Sequence, residues 1–166
     1  MSFWKDDDAW VRELWPRVYA LAYRMLRNAP DAQDAAQEAF VRALDRWETW
    51  LGEGPRERWV LRIATRVCLD ALERRKRMGR GQAEVGNLPA KPVEAAPEPV
   101  RDRLLECLDE LPPQQRAAFV LRDMQGLAFQ AVADALGCSG TTARVHLMKA
   151  RLGLREIWIR KFGERP

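Results

Sequence analysis

Two stretches of this 166-residue chain carry basic side chains at spacings suited to nucleic acid. The first is LAFQAVADALGCSGTTARVHLMKAR, from Leu127 to Arg151. It predicts a short helix, a tight turn at Gly137-Cys138 and a second helix capped by Ser139. That is a helix-turn-helix, whose second helix enters the major groove. Val132 and Leu136 face inward from the first helix, and Ala143, Leu147, Ala150 and Leu154 repeat on the packed face of the second. The remaining face offers Thr141, Thr142, Arg144, Val145 and Met148, whose hydroxyls and guanidinium suit base edges and phosphates. Lys149, Arg151 and Arg155 follow, suited to the backbone. An ordinary helical hairpin with a solvated basic face fits the same stretch. Six positive residues against one acid between Cys138 and Lys161 favour DNA.

The second stretch is RWVLRIATRVCLDALERRKRMGR, from Arg58 to Arg80, with eight positive residues against Asp70 and Glu73. Arg58, Arg62 and Arg66 stand four apart and share one helical face, with Trp59 close by. Cations for phosphates and a ring for an unstacked base are what single-stranded or melting DNA requires. A core role for Trp59 and a solvated role for the arginines remain open on these residues alone. The segment from Asp31 has the opposite sign: Asp31, Asp34, Glu38 and Asp45 outweigh Arg42. Such a face repels DNA and suits a basic protein surface, although acids near a helix N-terminus also answer the helix dipole.

No catalytic set converges. His146 is the only histidine, which excludes a multi-histidine metal site and a histidine-centred triad beyond it, and leaves it a phosphate contact or no role. No phosphate-cradling glycine loop is present. Cys68, Cys107 and Cys138 are too widely spaced for a metal clip or a disulfide framework and read as reduced thiols. The N-terminus MSFWKDDDAW has neither the basic start nor the apolar core of a secretory signal, so a cytoplasmic location is expected. A net charge of +4 is too modest to decide a partner by itself.

The elements that must position these residues are helices, and an all-α fold of two small domains is expected. Apolar residues at Trp10, Val11, Leu14, Trp15, Val18, Leu21, Ala22 and Met25 predict a first helix over about 8–26, which Pro16 kinks or divides. Asn28 caps a second helix reaching about Trp47, with Ala35, Ala39, Phe40 and Leu44 inward. Gly52, Gly54 and Pro55 break the chain before a third helix from about Arg56 to Arg77, burying Val60, Ile63, Val67 and Leu72. The stretch 78–100, with its glycines and prolines and no apolar period, reads as a flexible linker. Four more helices are expected: Arg101 to Glu110, Gln114 to Asp123, Ala128 to Leu136, and Ser139 to about Phe162. Most of the seven tryptophans read as core, with Trp47 and Trp50 bracketing the loop before the basic helix. The domains are therefore 1–78 and 101–166, joined by 79–100.

In this order the elements resemble the extracytoplasmic-function group of bacterial RNA polymerase sigma factors, over about Trp10 to Ile157. DAQDAAQEAFVRAL resembles the helix that docks on the polymerase clamp. ERWVLRIATRVCLDALERRKR resembles the helix that recognises and opens the downstream promoter element. LDELPPQQRAAFVLRDMQGLAFQAVADALGCSGTTARVHLMKARLGLRE resembles the domain that reads the upstream element and rests on the polymerase flap; its Leu-Pro, Gln-Arg and Leu-Arg pairs precede the helix-turn-helix at family spacing.

The resemblance implies that Asp31, Asp34, Gln37, Glu38 and Phe40 bind polymerase. It implies that Arg62, Arg66 and the tail Arg74, Arg75, Lys76 and Arg77 contact promoter DNA, together with Trp59, and that the loop Leu51 to Glu57 captures a flipped base. In the last helix Thr142, Arg144, His146 and Lys149 match the DNA-facing run, and Ser139, Thr141 and Arg151 join them. It further implies core RNA polymerase, promoter DNA and an anti-sigma protein as partners, with no cofactor and no enzymatic activity. Three positions depart from the family: Ala128 where a capping Ser or Thr is common, Ala131 for an acid, and Cys138 for an aliphatic. A free-standing helix-turn-helix regulator and a sigma-like decoy remain alternatives.

Overall fold

The computed structural model describes residues 7–50, 52, 54–79 and 98–163. Among them every regular element is a helix. The order is α1 (Asp7–Leu26), α2 (Ala29–Asp45), a short 3₁₀ turn (Trp47–Thr49), α3 (Arg56–Arg77), α4 (Glu98–Leu108), α5 (Pro113–Phe119), a π turn (Val120–Met124), α6 (Phe129–Leu136) and α7 (Gly140–Phe162).

α1 runs unbroken through Pro16, so the expected division is absent. Its apolar stripe buries Trp10, Val18, Leu21, Ala22 and Met25 against α2 and α3. α2 starts two residues before Asp31 because Asn28 caps it, its side-chain oxygen accepting from the Asp31 N–H at 3.0 Å. Ala32, Ala35, Ala36, Ala39 and Ala43 line its inner face and allow close approach to its neighbours. Leu44, expected inward, is 39% exposed. The helix ends at Asp45, and Leu44 falls outside the alanine stripe.

α4 begins at Glu98, so the end of the expected linker is helical, and α4 stops at Leu108 rather than Glu110. After α5 the backbone widens into the π turn, where the Gln125 N–H donates to the Val120 carbonyl at 2.9 Å. The expected single helix to Asp123 therefore changes type partway. α6 ends at Gly137 in the left-handed conformation, φ 68°, which disfavours any side chain there. Ser139 caps α7 by accepting from the Thr142 N–H at 3.1 Å.

The two helical groups touch. α3 packs on α6 and α5, and α1 meets α5 and the π turn. Polar groups fix this contact. Arg116, 7% exposed, donates to the Met25 carbonyl at 2.6 Å and to the Asp109 carbonyl at 2.7 Å. Arg27 reaches the Asp109 carboxylate at 3.1 Å. Arg17 donates to the Gln125 side chain at 3.0 Å and to its carbonyl at 2.7 Å. Arg27 holds a left-handed φ of 55° at the end of α1, a strained conformation for a side chain, and this places its guanidinium toward Asp109.

Candidate nucleic-acid interface

α3 divides cleanly. Val60, Leu61, Ile63, Ala64, Thr65, Val67 and Cys68 are buried, while Arg58, Arg62 and Arg66 are exposed on the opposite side. Leu72 is only half-buried. Trp59 is half-buried and meets the ring of Trp47 edge-on at 6.4 Å, so it serves core and surface together. A groove of about 280 Å³ opens here, lined by Trp50, Arg58, Trp59 and Arg62, with Asp134 of α6 on the far wall. A second of about 320 Å³ continues along Arg42, Arg46, Arg62 and Arg66. Cations beside aromatic rings give phosphates and bases separate places to bind. Of the loop expected to capture a base, Leu51 and Glu53 lie outside the described residues, as does Arg80.

The basic tail is not uniform. Arg74, Lys76 and Arg77 are exposed. Arg75 instead donates to the Leu26 carbonyl at 2.8 Å and pairs with Asp31. A guanidinium that satisfies a last-turn carbonyl of α1 acts as a cap of that helix. Arg66 is exposed but already donates to the Asp134 carbonyl at 3.2 Å, at the end of α6. Its guanidinium lies 3.3 Å from where a Cβ on Gly137 would stand, a second reason for glycine at that turn.

In the helix-turn-helix, Ala143, Leu147, Ala150 and Leu154 are buried as expected, and Thr141, Thr142, Arg144, Val145, Met148 and Lys149 are exposed. His146 is half-buried. Ser139 is engaged as the cap, and its hydroxyl also donates to the Thr142 Oγ1 at 3.0 Å. Arg151 forms a two-pronged pair with Asp123 at 2.8 and 2.7 Å, tying α7 to the π turn. Its side chain remains 56% exposed beside that pair. The Arg144 guanidinium lies 4.8 Å from the centre of the Phe129 ring, whose other partner is Arg122 at 4.6 Å. Arg122 also donates to the Leu127 carbonyl at 2.8 Å. Nothing in the sequence alone gives Phe129 a role. The Leu-Arg pair carried Arg122, but only the fold brings it to Phe129.

The outer face of α2 exposes Asp34 and Gln37 beside half-buried Glu38, which pairs with Arg42. Val41 and Leu44 add exposed apolar surface to the same helix. Asp31 is half-buried and turned to Arg75. Phe40 is 4% exposed, with Trp10 and Trp15 centred 5.7 and 5.8 Å away. It packs in the core, because it falls on the alanine stripe that faces α1.

Burial pushes the Cys68 thiol up to about 12, and the thiols of Cys107 and Cys138 also rise, chiefly by burial. All three hold their protons at neutral pH, the unreactive form. Among the described residues no cluster of histidine, cysteine and carboxylates could hold a metal ion, and no helix is long and apolar enough to cross a membrane.

Residues 10–78 match the family description Sigma-70 region 2, and residues 101–154 match Sigma-70, region 4. The chain is 36% identical over 164 residues to the ECF RNA polymerase sigma factor SigE of Mycolicibacterium smegmatis, covering 95% of this chain and 63% of that one. It is 30% identical over 158 residues to the RNA polymerase sigma factor CarQ of Myxococcus xanthus, covering 91% and 87%. The chain is an extracytoplasmic-function sigma factor by family. Members of this family are initiation factors rather than enzymes. The sigma factor RpoE of Bartonella quintana, solved with the anti-sigma factor NepR, shares the fold with a TM-score of 0.75 at 19% identity, over 96% of this chain and 99% of that one. The chain spans less than two thirds of the length of SigE, the first of these relatives.

Proposed function

We propose that this chain directs bacterial core RNA polymerase to promoters, working in the cytoplasm. The observation that carries it is the presence on one chain of two separate cationic faces, on α3 and α7, beside an acidic and apolar face on α2. α2 meets the polymerase through Asp34, Gln37 and Glu38, with Val41 and Leu44 adding apolar area. α3 holds the opened downstream element through Arg58, Trp59, Arg62 and Arg66, with Arg74, Lys76 and Arg77 on phosphates. The N-terminal half of α7 reads the upstream duplex through Thr141, Thr142, Arg144, His146 and Lys149. The division of labour follows a boundary in the stretch after residue 79, and joining both domains to one polymerase raises their effective concentration at the promoter. An anti-sigma protein masks these faces until a signal releases them.

The test is transcription by purified core polymerase on a genomic fragment library, with and without the chain. Defined start sites that vanish with Glu38→Lys or Arg144→Glu support the reading. Binding to core without any start site overturns it in favour of a decoy. Sequence-specific duplex binding with no polymerase binding overturns it in favour of a simple regulator.

A further inference from the structure

Five of the seven tryptophans gather at one end of the first helical group. Trp10 stacks on Trp47 at 5.5 Å, Trp47 lies 5.4 Å from Trp50, and Trp59 meets Trp47 edge-on. Trp15 joins them through Phe40, the ring that it shares with Trp10. Into this group the first residue of α3 inserts a cation. The Arg56 guanidinium lies 5.3, 4.7 and 5.1 Å from the ring centres of Trp10, Trp47 and Trp50. Arg56 is half-buried, and its Nε has no hydrogen-bond partner among the described residues. Three ring faces within 6 Å make the attraction of a cation to π electrons the principal tie visible here.

The same Trp50 lines the groove that Arg58, Trp59 and Arg62 enter. Trp50 thus has Arg56 over its ring and the groove beside it. It stands on no long helix, since the 3₁₀ turn ends at Thr49 and α3 starts at Arg56. Its orientation therefore depends on what holds its ring.

We propose that Arg56 is a positioning residue for base capture: by clamping Trp10, Trp47 and Trp50, it fixes the Trp50 wall on which a base displaced from single-stranded promoter DNA stacks. This rests on the reading of α3 as the helix that holds the opened strand. Arg58 and Arg62 supply the phosphate contacts at the groove, while Arg56, turned to the rings, acts on the base through Trp50. A stacking wall already oriented costs the incoming base less ordering. It also tolerates any base, because every base presents a π face.

The test compares two fluorescein-labelled probes bound by the full chain: a single-stranded oligodeoxynucleotide of mixed sequence, about twelve nucleotides long, and an abasic deoxyribose-phosphate strand of the same length. The readout is the ratio of the two affinities, which bulk loss of folded protein does not change. The wild-type chain is expected to prefer the base-bearing strand about tenfold, the size of one base stacked on an aromatic ring. Arg56→Leu is expected to remove most of that preference and leave abasic binding intact. Arg56→Lys, which keeps a cation among the rings, retains the larger part. Because Arg56 acts through Trp50, Arg56→Leu has no further effect on the ratio in a Trp50→Leu background. An unchanged ratio in Arg56→Leu, or independent effects of the two substitutions, overturns the proposal while the reading of α3 stands. A wild-type ratio of one overturns that reading itself, and the proposal with it.

Discussion

Replacing Arg116 with methionine keeps the unbranched apolar stem of the side chain and removes the guanidinium with its charge. Arg116 is 7% exposed, and its guanidinium donates to two backbone carbonyls, of Met25 at 2.6 Å and of Asp109 at 2.7 Å. A hydrogen bond from a charged donor contributes about 1.5–3 kcal/mol net, so the gross loss is about 3–6 kcal/mol. Part of this is returned, because burial holds the Arg116 pKa below its ordinary value and thereby shows that the charge is costly to bury. Burial likewise raises the Asp109 carboxyl even though Arg27 and Arg116 lower it. Both partners thus report that desolvation exceeds their attraction, and Asp109 loses one compensating cation in the variant. The net expectation is about 3 kcal/mol of destabilisation. With a urea m-value of about 2 kcal/mol/M, the midpoint falls by about 1.5 M in equilibrium unfolding followed by circular dichroism. Arg116→Lys, which keeps the charge without the two-pronged reach, falls between. A shift under about 0.3 M for methionine would refute the view that these two bonds fasten α5 to the end of α1 and to the segment that follows α4.

Three further outcomes follow from the geometry. Ala128 sits at the cap of α6 in extended conformation with no side-chain acceptor, so Ala128→Ser should raise stability by about 1 kcal/mol, measured as a higher thermal midpoint. Phe129→Leu frees Arg122 and Arg144 from their shared ring; binding to a promoter duplex should weaken about threefold to tenfold, with Phe129→Tyr near wild type. Hydrogen bonds from Arg160 and Lys161 hold the Glu110 carboxyl below its ordinary value of 4.5. A depressed carboxylate stabilises the fold above that ordinary value and loses its effect as pH falls through the lowered one. Glu110→Gln should therefore lower stability at neutral pH and flatten its decline on acidification, read by denaturant midpoints across pH.

Helical periodicity announced nearly every element because each helix buries a local stripe, and Asn28 and Ser139 announced their own helix starts. What the sequence does not carry is engagement. Arg75 and Arg151 pair with Asp31 and Asp123, 44 and 28 positions away, beyond any local pattern. Phe40 sits in a motif that reads as surface yet is buried, because it falls on the alanine stripe. Leu44 erred the other way. The clamp on Trp50 was unreadable for the same reason: Trp10 and Trp47 come to Arg56 only once α1 and α3 are packed together.

The Arg66 hydrogen bond to the Asp134 carbonyl ties together the two helical groups that carry the proposed DNA faces. While it stands, the start of α7, whose cap Ser139 follows five residues after Asp134, is moored to the middle of α3. If promoter binding as proposed requires α3 and α7 to part, the observed affinity equals the intrinsic one multiplied by the fraction of molecules already parted. A substitution that loosens this seam should then strengthen promoter binding without touching DNA, and a partner that grips both halves as they stand should weaken it from a distance.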